Sequence, residues 1–100
     1  MKKLILAIAL LTSTAVIAEE KTTSLETCQT ISELAGSVME VRQSGASMVE
    51  VYKSMSGNEL AIDMVVMAYD QPKFSTDKYR AESITSFSDQ WFTVCIKLGE

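Results

Sequence analysis

The sequence predicts an all-α protein: a small bundle of about four helices, with one disulfide joining the first and last of them, preceded by a signal peptide. Three observations carry that reading. Apolar residues recur at three- and four-residue steps, cap residues stand at the breaks between those runs, and two cysteines, Cys28 and Cys95, lie near opposite ends of the chain that follows an apolar N-terminus.

The N-terminus has the three parts of an export signal in order. Met1-Lys2-Lys3 is a positive start, Leu4 to Leu11 an apolar run, and Val16-Ile17-Ala18 a small-residue site before Glu19. The apolar run is far shorter than the roughly 20 residues a membrane-spanning helix needs. Cleavage after Ala18 is therefore expected, leaving 19–100 as a single helical domain in the periplasm or outside the cell, with no stable membrane anchor. No cysteine stands directly after Ala18 to take a lipid. In an oxidising compartment the two cysteines pair with each other, since there is no third to compete.

From Thr22, the residues Leu25, Cys28, Ile31, Leu34/Ala35, Val38 and Val41 mark one face of a first helix. Ser44-Gly45 ends it, with Gly45 suited to a left-handed C-terminal position and Arg42 in the last turn. Ser47 and Glu50 have capping-box spacing and start a short second helix to about Met55. After Ser56-Gly57, Asn58 caps a third helix through the apolar run from Met64 to Tyr69. The Val65-Val66 centre of that run would also suit a buried strand, but no partner strand is visible, which favours helix. Asp70-Gln71-Pro72 stops it, because proline disfavours helical geometry in the residue before it. Ser75 is the expected cap of a final helix through Leu98, with Ile84, Phe87, Trp91 and Cys95 as its buried stripe.

Composition narrows the function classes. The 100 residues are 47% apolar and 22% charged, with a net charge of −4 and no histidine. Removing Lys2 and Lys3 with the signal takes the charge to −6. Such a surface repels nucleic acid and anionic membranes and attracts basic partners. Without histidine, Ser-His-Asp and Cys-His catalysis lack their base. A Ser-Lys dyad of Lys53 with Ser54 or Ser56 is formally available, but nothing marks an oxyanion hole. Met64-x-x-Met67 has thioethers for soft copper, yet no histidine or free cysteine completes a site, and both methionines read as core. Neither an enzyme, a cofactor nor a metal is expected. Glu26, Glu33 and Glu40 recur every seven residues as an acidic line along the first helix, a solvated face or a surface for a basic partner.

The Cys28 helix leading to Met39-Glu40-Val41-Arg42-Gln43-Ser44-Gly45, then Ala68-Tyr69-Asp70-Gln71-Pro72-Lys73-Phe74, then Phe87 and Cys95, resembles a group of small exported proteins encoded in phage and prophage genomes. The motifs M-x-x-R-Q-x-G and A-Y-x-x-P carry the resemblance, which covers nearly all of the chain after the signal. It implies a setting and no mechanism. Arg42, Gln43, Tyr69 and Phe74 combine a guanidinium fork with aromatics, the composition of interface anchors, and form the candidate binding patch. The expected role is protein binding in the bacterial envelope, such as inhibition of a lytic enzyme or exclusion of a competing phage. The alternative is a periplasmic chaperone that exposes a methionine-rich interior under acid or reducing stress.

Overall fold

The computed structural model describes residues 24–99. The expected signal peptide and the predicted helix start at Thr22 lie outside the described residues. Four α-helices follow in order: α1 over 24–44, α2 Met48–Ser54, α3 Glu59–Asp70 and α4 Asp77–Gly99. No strand occurs among the described residues, and the Val65-Val66 run is helical throughout. With helices and turns on both sides of it, that run had no edge to pair with, so helix was its only route to satisfied backbone groups.

The breaks form where the local chemistry places them. The amide of Gly45 donates to the Arg42 carbonyl and that of Ala46 to the Val41 carbonyl, a paired closure that needs a left-handed residue; Gly45 supplies it at φ 95°. Ser47 Oγ accepts from the Glu50 amide at 3.2 Å, and Asn58 Oδ1 from the Ala61 amide at 3.1 Å. The return bond from Glu50 to the Ser47 amide is not formed among the described residues, so the capping box is half made. The expected cap at Ser75 is corrected by one residue. Thr76 Oγ1 accepts from the Tyr79 amide, and the Thr76 carbonyl accepts from the Arg80 amide. Two hydroxyl residues in a row offer equivalent caps, and the path of the preceding linker selects between them.

All four helices meet in one core of Ala35, Val38 and Met39 from α1, Val51 from α2, Met64, Val65 and Ala68 from α3, and Phe87 from α4. Burial of each of the four larger side chains that are fully enclosed, Met39, Met64, Val38 and Val65, contributes roughly 1.5–3 kcal/mol. One methionine departs from the core reading: Met67 is 46% exposed, because its place on α3 is on the flank rather than beneath it.

Cys28 and Cys95 form the disulfide, with Cα atoms 5.5 Å apart, and it joins α1 to α4. Small residues allow the same two helices to run close together. Ser88 Oγ donates to the Ser32 carbonyl at 2.8 Å and so accepts from Ser32 Oγ at 2.6 Å. A Cβ added to Gly36 would already lie 3.6 Å from Ser88 Cβ. The bundle is thus tied at one end covalently and along its seam by hydroxyls.

Helix lengths then decide what stays uncovered. At 1.5 Å per residue, the 23 residues of α4 extend about 34 Å, whereas the 12 of α3 extend about 18 Å. Phe87 is the only fully buried residue of α4. Trp91 is half-buried with its ring edge-on to Phe87, and Val94 and Leu98 are exposed at 51% and 83%.

Candidate functional site

The structure brings Arg42, Gln43, Tyr69 and Phe74 together around the linker between α3 and α4, which has no regular structure of its own. Gln43 is 2% exposed. Its Nε2 donates to the Pro72 carbonyl at 2.9 Å, and its Oε1 accepts from the Phe74 amide at 2.8 Å, so one amide side chain pairs with the linker as a neighbouring strand would. Nε and Nη2 of Arg42 both donate to the Gln71 carbonyl. Arg80 Nε donates to the Phe74 carbonyl from the α4 side. The Arg42 guanidinium also lies 4.9 Å from the centre of the Tyr69 ring. The juxtaposition expected from the sequence is present, and the polar atoms of Arg42, Gln43 and Tyr69 are engaged within the fold. This cluster is a clasp that fixes the linker. Of the four residues, Phe74 alone borders a surface recess, one of about 240 Å³ that also touches Tyr79 and Phe87.

Tyr69 completes the clasp by donating from its hydroxyl to the Ala46 carbonyl at 2.7 Å. Burial pushes the Tyr69 phenol above its ordinary value of 10.0; Arg42 acts in the opposite sense and Glu50 in the same sense. A raised folded-state value means that the neutral phenol contributes stability below about pH 10, and that this is lost as the pH rises through the folded value. Urea unfolding between pH 8 and 11 should therefore show stability falling more steeply for the natural protein than for Tyr69→Phe. Parallel curves would remove the phenol as the cause.

A larger feature lies on the flank that the short α3 leaves open. A groove of about 970 Å³ runs between Met67 of α3 and the α4 residues Glu82, Thr85, Asp89, Trp91 and Val94. Its lining is mostly apolar surface, and its ionisable residues are the carboxylates Glu82 and Asp89. Asp63 and Asp70 are exposed at four residues before and three after Met67, so helix geometry puts them on the same flank. Lys78 is one turn before Glu82, with its Nζ 5.8 Å from the Tyr79 ring centre, Arg80 precedes the lining residue Ala81 with its Nε on the Phe74 carbonyl, and Lys97 is one turn after Val94. The indole Nε1 of Trp91, on the groove wall, has no hydrogen-bond partner among the described residues. Sequence reading noted Trp91 but not the groove. The usable signal was the pair of acidic residues, Glu82 and Asp89, seven apart on the exposed face of α4, away from the stripe of Ile84, Phe87, Trp91 and Cys95.

Other candidates are placed less productively. Glu26, Glu33 and Glu40 are all exposed on α1, as expected of an acidic line. Ser54 Oγ donates to the Val51 carbonyl and Ser56 Oγ to the Lys53 carbonyl, so both hydroxyls are held by backbone and neither by the Lys53 amine. Met64 is buried, whereas Met67 is exposed. Among the described residues no group of three or more acidic or cysteine side chains is arranged to hold a metal, and no helix is long and apolar enough to cross a membrane. Compared with family models, curated proteins and solved structures, the chain matches none.

Proposed function

We propose that this is an exported protein that acts in the bacterial envelope by binding a basic protein, rather than by catalysis. The observation that carries this reading is the apolar groove flanked by Glu82 and Asp89 on a chain whose charge is −6 once Lys2 and Lys3 are removed with the signal. Association between such a surface and a cationic partner is steered over distance by the net field and secured at short range by apolar burial. The export-like N-terminus and the disulfide support an extracytoplasmic setting, where oxidised cysteines persist. Cationic cell-wall hydrolases and phage-encoded envelope proteins are concrete partners of this kind, and either fits the resemblance to small phage-encoded exported proteins.

The test is affinity capture from envelope extract, with the oxidised protein collected after export of the full-length precursor. The expected result is saturable retention of one or a few basic proteins, released as salt is raised. Finding no saturable basic partner overturns the reading.

A further inference from the structure

Resting on that reading, we infer that the partner contributes an amphipathic basic helix, which lies in the α3–α4 groove and completes the bundle on its open side. A partner could dock as a strand, as a helix or as a second copy of this chain, or the groove could hold a small apolar ligand. A strand needs a sheet edge to extend, and the described residues contain no strand. A second copy would bring Glu82 and Asp89 against the same acidic flank, in a chain already carrying excess negative charge. A compact ligand of the usual kind is enclosed over most of its surface, whereas this groove is open to solvent along one side.

A helix fits on both shape and charge. Beside the longer of two helices of unequal length, the surface that the shorter leaves uncovered can take the ridge of a third. Met67, Trp91 and Val94 form an apolar floor for residues spaced i, i+3/i+4 and i+7 on the incoming helix. Lysines or arginines on either side of that stripe would reach Glu82 and Asp89 from α4, and Asp63 and Asp70 from α3. Lys78 and Lys97, beyond the ends, limit the cationic stretch to the middle of the groove, about two to three turns of helix.

The molecule carries its own reporter, because Trp91 on the groove wall is the only tryptophan in the chain. The experiment titrates the exported, oxidised protein with a synthetic amphipathic peptide that has leucines at helix-face spacing flanked by lysines. The same peptide with glutamates replacing the lysines is the control. The basic peptide is expected to shift Trp91 emission saturably and to gain helical circular dichroism, and the acidic peptide to do neither. The double variant E82K/D89K, both of whose positions are exposed, should keep its melting temperature and weaken binding on the order of tenfold.

Equal binding of both peptides, or basic-peptide binding unchanged in E82K/D89K, overturns the inference. The envelope capture separates this failure from failure of the broader reading. If the natural protein and E82K/D89K retain the same basic partner equally, the groove is wrong and protein binding stands. If the peptide binds in a groove-dependent way while no envelope partner is retained, the groove stands and the partner assignment fails.

Discussion

Replacing Cys28 and Cys95 together by serine is expected to lower the unfolding free energy by about 4 kcal/mol and the melting temperature by roughly 20 °C. The cysteines are 67 residues apart, so the bridge closes nearly the whole described chain into a loop and removes a correspondingly large set of conformations from the unfolded state. A domain of this size holds only about 5–10 kcal/mol in total, so the loss is a large fraction of what it has. The native seam should survive in part. The paired hydroxyls of Ser32 and Ser88 and the close approach at Gly36 do not depend on the sulfurs. Chemical denaturation with and without reductant measures the effect. A loss under about 1 kcal/mol would show that packing and the Ser32–Ser88 hydrogen bonds hold α1 and α4 together without the bridge.

Substituting Gln43→Leu is expected to cost about 1–3 kcal/mol, although leucine has a similar volume and the position is buried. The replacement leaves the Pro72 carbonyl and the Phe74 amide without the partner each has at 2.8–2.9 Å, and each of these part-buried hydrogen bonds contributes about 0.5–1.5 kcal/mol. The damage should be local in origin. The linker over 71–76 would lose its central anchor, keeping Arg42 on the Gln71 carbonyl, Arg80 on that of Phe74 and the helix-end bonds at Gln71 and Thr76. Urea midpoints read the stability, and amide exchange at Phe74 reads the cause. Faster exchange at Phe74 with unaltered exchange in α2 is the expected pattern. A stable variant with an unaltered Phe74 amide would mean that the linker is held in place without Gln43.

Much of the fold was legible because it is written in local chemistry. Ser47, Asn58 and Gly45 act within three to five residues of themselves, and their roles follow from side-chain type and spacing. Pro72 ends α3 for a reason internal to its own ring. The Ser75 expectation failed by one residue because Thr76 is chemically its equal, and only the course of the linker distinguishes them. The candidate patch shows the same division. Arg42, Gln43, Tyr69 and Phe74 could be grouped from their residue types, but whether those polar groups face a partner or the chain itself depends on where the linker passes. It passes over them, and the clasp results. Met64 and Met67 lie in one apolar run, and periodicity cannot say that the second stands on the flank of α3.

What the amino-acid order determined by itself is the set of helices, the breaks at Gly45, Ser47, Asn58 and Pro72, and the cysteine pairing, since each depends on neighbours along the chain or, for the cysteines, on there being no third. What only the tertiary structure decided is the clasp at Gln43 and the acid-flanked groove beside Trp91. Both arise where helices distant in sequence meet with particular lengths and rotations. A periodic pattern specifies which face of a helix turns inward, but not how far its neighbour extends along it.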